Sequence, residues 1–379
     1  MRLKLTHVIT GLSLGGAENS LYKLVSHLDR QKFDISIISL KNQGVFGDRF
    51  DALGIPVYSC NFSVGVGGLL APFKLVRFLL NLRPDIVQTW LYHADLIAGI
   101  AAKLIGVKCI IWSIRTTDLK QGSWLTAVIR KICALLSRLI PSKIVVVAHA
   151  ARTKHIQLGY DESKMTVIPN GYDAEEFNPD VASVAKLKNE IGLVQTDVVI
   201  GCVGRLSEDK GQDLLIKASQ DVLNKFPNVK FVFVGSGFEF TNKALVDSIA
   251  SKSKLDRFIL MGERNDINVC FGLMDIFCLP SRTEGFPNVL AEAMLSKLPC
   301  VSSDCGDARL LANGHVIIAK LNDSRDLTRK IIQLLEINTI ERRVLGQRSW
   351  SHVSNEYSID RMATRYESLF GQLIKTHIW

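Results

Sequence analysis

The sequence predicts an α/β fold of two facing, Rossmann-like, doubly wound domains, each built on a parallel sheet. Short β-branched segments alternate with amphipathic segments along all 379 residues, which is the pattern of parallel sheets covered by helices. The candidate strands are continuous apolar runs, as expected for strands that are buried on both faces. The chain is also longer than one hydrophobic core usually serves, so two domains are expected.

The first half contains five candidate strands separated by helical patterns. A helix is expected over Ala17–Leu28, because Leu21, Leu24, Val25 and Leu28 recur at the i, i+3, i+4, i+7 spacing of one helix face. The candidate strands are Leu3–Ile9, Asp34–Leu40, Asp85–Thr89, Val107–Ile114 and Lys143–Ala148.

The second half repeats this rhythm, again with a helical pattern after each strand. The candidate strands are Val198–Val203, Lys230–Val234, Phe258–Met261, Ile276–Leu279 and Cys300–Ser303. A domain boundary is expected near 167–180, where Pro169, Asn170-Gly171 and Pro179 cluster. Open parallel sheets bind ligands beyond the carboxyl ends of their strands, so two facing domains would form a cleft there.

Composition indicates a globular cytosolic protein. Hydrophobic residues make up 47% and charged residues 22% of the chain, an ordinary balance for a folded domain. No apolar run approaches the roughly 20 residues that a membrane span needs. The N-terminal residues resemble a first strand more than a signal peptide. The eight cysteines form no CxxC pair, so reduced, buried thiols are expected rather than a disulfide framework or a zinc site.

The net charge of +9 is concentrated in the first half, where residues 1–180 hold 21 Lys and Arg against 14 Asp and Glu. No acid lies between Asp118 and Asp161. The bases in that interval are Lys120, Arg130, Lys131, Arg138, Lys143, Arg152 and Lys154. Such a run suits a polyanionic surface. Nucleic acid is disfavoured, because aromatic residues do not interleave with the bases.

The first strand is followed by the glycine-rich segment TGLSLGGAENSL at 10–21. Gly15 and Gly16 precede the predicted helix, whose free N-terminal amides could bind an anion. The glycine spacing does not match the dinucleotide-binding fingerprint, which disfavours a nicotinamide oxidoreductase. A simple turn is the alternative interpretation.

The second half opens with GCVGRLSEDKGQDLL at 201–215. Arg205 and Lys210 follow the strand end at Gly204 and precede a helix predicted near Gln212. Two cations at the carboxyl end of a strand could clamp a diphosphate; a solvated loop is the alternative. A further glycine turn follows at Gly235. The segment MGERNDI at 261–267 could line the same site or face water.

The segment SRTEGFPNVLAEAM at 281–294 holds two glutamates. Glu284 follows the strand Ile276–Leu279, and Asn288 is expected to cap a helix that begins at Val289, with Glu292 one turn inside. A diphosphate would repel both carboxylates, so sugar and ribose hydroxyls are their expected partners. The helix amides would meet the anion instead. Two surface acids are the alternative.

Taken in order, these motifs resemble the retaining glycosyltransferases of family 4, which have the GT-B fold. The segments are GGAEN, IPNGYD, GRLSEDKG, VGSG, GERNDI and EGFPNVLAEAM, and the resemblance extends from about Leu3 to Phe370. It implies an acceptor-binding domain at 1–175 and a nucleotide-sugar-binding domain at 176–356. It also implies that 357–379 forms a helix crossing back to the first domain.

The resemblance also implies roles for individual residues. Arg205 and Lys210 would hold the diphosphate, Glu292 the ribose and Glu284 the donor sugar. The implied donor-binding residues are Gly15, Gly16, Gly204, Arg205, Lys210, Gly235, Arg264, Glu284, Gly285, Phe286, Pro287, Asn288, Val289 and Glu292. Many members carry a histidine after the fifth strand; here Arg115 takes that place, and His93 follows the fourth strand. Glu284, Arg205, Lys210, His93 and Arg115 are the catalytic candidates.

The predicted function is therefore a retaining hexosyl- or N-acetylhexosaminyltransferase that uses a UDP- or GDP-sugar and no cofactor. No DxD motif or metal-ligand cluster is present, so no metal is expected. The expected acceptor is a glycan or a polyprenyl-diphosphate-linked glycan in cell-surface polysaccharide or glycolipid synthesis. A non-catalytic nucleotide-sugar-binding protein and a GT-B epimerase are the alternatives. A phosphorylase would need a pyridoxal lysine, which nothing in the sequence marks.

A peripheral position on the inner face of the cytoplasmic membrane is also expected. In 123–143 an apolar stripe at helical spacing is combined with bases and no acid, and 71–83 forms a second patch. The stripe consists of Trp124, Val128, Ile132, Leu135, Leu136 and Leu139, and the bases are Arg130, Lys131, Arg138 and Lys143. Core packing of the stripe is the alternative.

Overall fold

The computed structural model describes residues 2–62, 66–117, 123–251 and 253–378, with the side chains of 66–70, 377 and 378 left out. Lys120 of the predicted basic run therefore lies outside the described residues. The chain divides into two compact units. Unit 1 comprises Met1–Gly171 and Ile359–Trp379, and unit 2 comprises Tyr172–Ser358. The boundaries predicted from the sequence, after residues 175 and 356, lie a few residues away from these.

Unit 1 is built on a seven-stranded sheet in the order β3-β2-β1-β4-β5-β6-β7, and its strand pairs are parallel. Its strands are β1 (Leu3–Ile9), β2 (Phe33–Ser39), β3 (Val57–Ser59), β4 (Ile86–Trp90), β5 (Cys109–Ile114), β6 (Lys143–Val146) and β7 (Met165–Val167). Its helices are α1 (Gly16–His27), α2 (Gly44–Ala52), α3 (Val66–Leu82), α4 (Tyr92–Leu104), α5 (Trp124–Leu136), α6 (His149–Gln157) and the C-terminal α15 (Ile359–Ile378).

Unit 2 is built on a six-stranded parallel sheet in the order β10-β9-β8-β11-β12-β13. Its strands are β8 (Val198–Val203), β9 (Val229–Val234), β10 (Phe258–Leu260), β11 (Ile276–Leu279), β12 (Cys300–Ser303) and β13 (Ile317–Ala319). Its helices are α7 (Val181–Glu190), α8 (Gln212–Lys225), α9 (Lys243–Ala250), α10 (Ile267–Gly272), α11 (Asn288–Leu295), α12 (Ala308–Ala312), α13 (Ser324–Glu336) and α14 (Thr339–Glu356).

Both sheets have the doubly wound order in which the chain starts at the centre, moves to one edge and returns to build the other. The predicted fold class is therefore confirmed for each unit. Strand residues alternate between the two faces. In β1, Leu5 and Ile9 join the core under α1 and α15, whereas Val8 joins the core under α3, α4 and α5. Both faces are apolar, which explains the continuous apolar runs.

Four predicted strands, β1, β8, β11 and β12, have the predicted bounds, and the other predicted strands shift by one or two residues at an end. Three strands were not predicted, namely β3, β7 and β13, each of which is only three residues long. Such short edge strands give no readable periodicity, because only pairing with a neighbour defines them.

The cysteines are free and buried, as the prediction of reduced, buried thiols requires. Burial raises the pKa of the Cys305 thiol to about 12, so this thiol stays protonated at neutral pH. Among the described residues, no group of three or more His, Cys, Asp or Glu side chains could hold a metal ion. The described helices include none that is long and apolar enough to cross a bilayer.

One part of the membrane prediction is wrong, namely that Arg130 of α5 faces the lipid surface. Helix α5 ends at Leu136, and Arg130 points into unit 1 with only 5% of its surface exposed. The Arg130 guanidinium lies 5.5 Å from the centroid of the Tyr92 ring, and the Tyr92 hydroxyl forms a 2.6 Å hydrogen bond with Nε2 of His155. Arg130 therefore stabilises the packing of α5 and cannot attract a lipid surface.

Candidate functional site

Two glycine turns meet at the carboxyl end of the second sheet. Gly204 directly follows β8 and Gly235 directly follows β9, with φ values of +146° and +136°. A Cβ atom on Gly235 would lie 2.4 Å from the carbonyl oxygen of Gly204. Both turns thus favour glycine for their backbone conformation, and Gly235 also needs it for close backbone approach. Among the described residues, nothing lies within 4 Å of the position that a Cβ atom of Gly204 would take, so the space beside the end of β8 is open.

Lys210 ends a 3-10 turn at Glu208–Lys210, and α8 begins at Gln212 as predicted. The Nζ atom of Lys210 lies 2.7 Å from Oε1 of Glu284. The same Oε1 accepts a 2.8 Å hydrogen bond from the buried Ser281 hydroxyl. The Lys210 and Glu284 side chains are 30% and 10% exposed. The structure therefore brings Lys210, which is predicted to bind the diphosphate, into direct contact with Glu284, which is predicted to bind the sugar.

The helix after Glu284 begins one residue earlier than predicted, which corrects the assignment of Asn288 as its cap. Pro287 occupies the N-cap position without a side-chain cap, and α11 starts at Asn288. The Asn288 side chain instead accepts a hydrogen bond from the Tyr172 hydroxyl. No side chain caps α11, and the amides of Asn288 and Leu290 donate instead to the backbone carbonyls of Phe286 and Pro287, at 2.9 and 3.0 Å.

The segment between Glu284 and α11 is held in place by a hydrogen bond from the β12–α12 loop. The Asp307 amide donates to the Gly285 carbonyl at 2.9 Å. Phe286 is buried and stacks on Tyr172 with ring centroids 6.3 Å apart. These contacts position the backbone from Gly285 to Pro287, which leads into α11. Glu292 lies in α11 and is half-buried.

The other two candidate cations of unit 2 differ in their surroundings. Arg264 forms a bidentate pair with Asp266, with Nε–Oδ1 and Nη2–Oδ2 distances of 2.8 and 2.6 Å. The paired guanidinium holds the pKa of the Asp266 carboxyl below its usual range. This pairing occupies the Arg264 side chain. A contact between this position and the nucleobase of the donor would therefore use the backbone. Arg205 has an exposed side chain, and its carbonyl accepts a 3.0 Å bond from Gln212.

In unit 1, Gly15 and Gly16 lie at the start of α1 and are exposed. The carboxylate of Glu18 folds back over this turn, since a Cβ atom on Gly15 would lie 2.3 Å from its Oε2. Partial burial raises the pKa of Glu18 above its ordinary value. An anion that approached these amides would have to displace the Glu18 carboxylate.

Arg115 follows β5 and is held by side chains of unit 1. Its Nη2 donates to the Ser20 hydroxyl at 2.5 Å and to Oδ1 of Asn170. The guanidinium also lies 5.3 Å from the centroid of the Trp90 ring. Cation–π contact and charge-assisted hydrogen bonds together hold Arg115 in one position. Ser20 and Asn170 were missed in the sequence, because they are distant from Arg115 along the chain.

His93 lies in the first turn of α4, directly after β4, and is half-buried. Its burial, with a smaller effect of the Lys41 cation, lowers its pKa below the ordinary value. A neutral imidazole can accept a proton or a hydrogen bond from a hydroxyl group. Unit 1 thus carries a fixed cation, Arg115, and a neutral base, His93, after neighbouring strands.

Two family models match this chain, one in each half. Residues 14–176 match "Glycosyltransferase Family 4" and residues 197–337 match "Glycosyl transferases group 1". The chain belongs to glycosyltransferase family 4. The second match spans the Gly204 turn, the Gly235 turn, Lys210 and both glutamates, which are the features that the geometry brings to one end of the second sheet.

Relatives of this family 4 member cover nearly its whole length. The chain is 24% identical to the Escherichia coli UDP-Gal:alpha-D-GlcNAc-diphosphoundecaprenol alpha-1,3-galactosyltransferase, over 98% of both chains. It is 24% identical to the Staphylococcus aureus capsular polysaccharide biosynthesis glycosyltransferase CapM, over 80% of both. The structure of Anabaena HepE in complex with UDP matches with a TM-score of 0.83 and 22% identity, over 98% of this chain and 100% of HepE. This likeness establishes the GT-B fold.

Proposed function

We propose that this chain transfers a hexosyl or N-acetylhexosaminyl group from a UDP- or GDP-sugar to a glycan acceptor, with retention of anomeric configuration. The observation that carries the proposal is the contact between Lys210 and Glu284, which lies in the loop before α11. A cation binds a diphosphate, and a carboxylate binds the hydroxyl groups of a sugar. The relatives support this donor class, since the E. coli enzyme is named for UDP-Gal and HepE was crystallised with UDP.

The proposed roles in unit 2 follow the chemistry of each group. Lys210 and Arg205 hold the diphosphate, Glu284 binds the donor sugar, and Glu292 binds the ribose. Because Lys210 lies on Glu284 in this structure, an incoming diphosphate takes over Lys210 and releases Glu284 for the sugar hydroxyls. The two cations and the N-terminal dipole of α11 then offset the charge of the leaving diphosphate, with neither a metal ion nor a cofactor.

Retention would result from a front-side substitution. The bond between the anomeric carbon and the diphosphate oxygen breaks, and the acceptor oxygen bonds to the same face of that carbon. The departing phosphate oxygen takes the acceptor's proton, so atoms and charges balance without a covalent enzyme intermediate. In unit 1, we assign the acceptor side to His93, Arg115 and the Gly15–Gly16 turn. Arg115 is anchored by Ser20, so His93 is the freer of the two to meet an acceptor hydroxyl.

The purified protein tests this function directly when it is incubated with a panel of UDP- and GDP-sugars and glycan acceptors. We expect binding of one donor class, detected as a rise in melting temperature. We further expect release of the nucleoside diphosphate together with a new product of retained configuration, identified by NMR of the anomeric proton. Donor binding without transfer to any acceptor would indicate a nucleotide-sugar-binding protein, and inverted product would contradict retention.

The proposed acceptor is lipid-linked, and its membrane is contacted by an α3–α5 surface made of the outer faces of α3, α4 and α5 together with residues 137–139, which follow α5. Trp124, Leu135 and Leu139 are 79%, 76% and 68% exposed. The inner face of α5, formed by Ile129, Cys133 and Ala134, packs in the core. Of the predicted stripe, Leu136 is partly buried against that core, and the other members are exposed. The surface also exposes Phe73, Leu80 and Leu104. Its exposed bases are Lys74, Arg77, Lys103, Lys131 and Arg138.

Charge and apolar area together suit an anionic bilayer better than a protein partner. Acids are absent from α3 and α5, and Asp95, the acid of α4, is buried. Each base near anionic lipid contributes about 1 kcal/mol. The exposed bases together would supply about 5 kcal/mol before orientation costs, which suits reversible attachment. The name of the E. coli relative, which includes a diphosphoundecaprenol acceptor, supports a lipid-linked acceptor, and we place the reaction at the inner face of the cytoplasmic membrane.

Liposome flotation tests this surface. We expect binding to vesicles that contain phosphatidylglycerol, weaker binding as salt rises, and none to neutral vesicles. The combined change Trp124→Ser, Leu135→Ser and Leu139→Ser should abolish flotation, and Lys131→Gln with Arg138→Gln should weaken it. The matched control, Ile340→Ser with Arg343→Gln on α14, replaces equally exposed side chains of unit 2. Equal recovery of the α5 variants and the control would contradict the proposal.

A further inference from the structure

We infer that Arg282 is a positioning residue that holds the Lys210 turn against Glu284. This inference rests on the proposed function, because it explains how the two proposed donor ligands come into register. Arg282 lies in the β11–α11 loop that also carries Glu284. The segment SRTEGFPNVLAEAM contains Arg282, but its role could not be predicted there, because its partner Asp213 is 69 residues away along the chain.

The Arg282 guanidinium bridges both ends of the segment that contains Lys210. Its Nη1 and Nη2 atoms donate to Oδ1 and Oδ2 of Asp213 in the first turn of α8, each at 2.7 Å. Nη1 also donates to the carbonyl of Glu208 at 2.7 Å, at the start of the Lys210 turn. Lys210 is therefore enclosed between two anchor points of one rigid, planar group.

The backbone of the loop adds a second set of bonds. The amides of Arg282 and Thr283 donate to the Asp209 carbonyl at 2.8 and 3.2 Å. The remaining guanidinium donor, Nε, reaches Oδ1 of Asn322 at 2.8 Å. The Arg282–Asp213 pair lowers the pKa of the Asp213 carboxyl, so the pair stays ionised at neutral pH. Charge-assisted, bidentate bonds of this kind restrict geometry as well as adding stability.

The Lys210 turn is closely packed on the side that faces Pro280. Gly211 has a φ of +64°, and a Cβ atom there would lie 2.2 Å from the carbonyl oxygen of Pro280. The Lys210 turn is thus pressed against the end of β11, and Arg282 closes it from the α8 side. Loss of the Arg282 bonds would let the turn move relative to Glu284. A displacement of about 1 Å at a reacting group can cost roughly 100-fold in rate.

The test compares Arg282→Gln and Arg282→Lys with the wild type in steady-state transfer. We expect kcat/KM to fall roughly 10- to 100-fold in Arg282→Gln, mainly through kcat, because the proposed role of Lys210 is to stabilise the leaving charge. Lysine at position 282 should restore only part of the activity, since one ammonium group cannot form the bidentate hydrogen bonds of a planar guanidinium. Asp213→Asn should cause a smaller loss, and it should add little to Arg282→Gln, because the two residues act through one pair.

The control is Arg329→Gln, which removes an arginine paired with Asp326 on α13 in the same unit and should leave kcat/KM unchanged. The Lys210–Glu284 contact is followed without any activity, through the side-chain ammonium resonance of Lys210 in ¹⁵N-labelled protein, assigned with Lys210→Gln. That resonance should shift in Arg282→Gln and not in the control. An unchanged resonance overturns the positioning role, whereas a wild-type protein that transfers no sugar overturns the proposed function.

Discussion

Replacing Lys210 with glutamine is expected to lower kcat for sugar transfer by about 10²- to 10³-fold, the usual effect of removing one preorganised donor that stabilises developing charge. Lys210 is held within 2.7 Å of Glu284, so its position is set before the donor arrives. The glutamine amide would keep a hydrogen-bond donor of similar reach but carry no charge. Nucleoside diphosphate binding should weaken as well, because the proposed contact is made in the ground state too.

The matched control for this prediction is Lys225→Gln. Lys225 also pairs with a glutamate, Glu336, in the same unit, and both side chains are about half exposed. Loss of such a surface pair typically costs less than about 1 kcal/mol of stability, and kcat should not change. Wild-type activity should also persist in EDTA. A strict requirement for added divalent metal would contradict the idea that Lys210 and Arg205 offset the leaving charge.

The Glu284→Gln variant should bind a free nucleoside diphosphate more tightly than the wild type while its turnover falls by about 100-fold. In this structure Glu284 is paired with Lys210, the cation that we assign to the diphosphate, at a distance of 2.7 Å. Breaking such a pair costs about 1 kcal/mol, so removing the charge should tighten binding about fivefold. Turnover should fall because a neutral amide binds the sugar hydroxyls less strongly than a carboxylate does.

The two variants, Lys210→Gln and Glu284→Gln, are expected to change the affinity for the nucleoside diphosphate in opposite directions. Titration calorimetry with UDP and GDP should give weaker binding for Lys210→Gln and tighter binding for Glu284→Gln. Glu292→Gln should weaken nucleoside diphosphate binding, since we assign Glu292 to the ribose. If Glu284→Gln bound the nucleoside diphosphate more weakly than the wild type, Glu284 would be a direct ligand of that part of the donor, and the proposed exchange of partners on Lys210 would be wrong.

Much of the fold and part of the candidate site could be predicted from local patterns. Continuous apolar runs identified both parallel sheets, because strands buried on two faces have no polar side. The Gly204 and Gly235 turns could be recognised because their backbone conformation favours glycine. The cap of α11 was predicted wrongly: Asn288 has the side chain of a good N-cap, but it bonds to Tyr172 instead. A tertiary partner outweighed the local preference.

The sequence by itself determined the two domains, the helix and strand order, and the presence of cations and carboxylates after particular strands, because each depends on residues close together in the chain. Only the tertiary structure decided which charges meet. The contact of Lys210 with Glu284 and that of Arg282 with Asp213 join residues 74 and 69 positions apart, and no periodicity encodes such pairs. Helix α5 is apolar both along Ile129 and Cys133 and along Trp124 and Leu135. The packing of unit 1 buries the first pair and leaves the second exposed, because a helix at the edge of a core can bury only one of its faces.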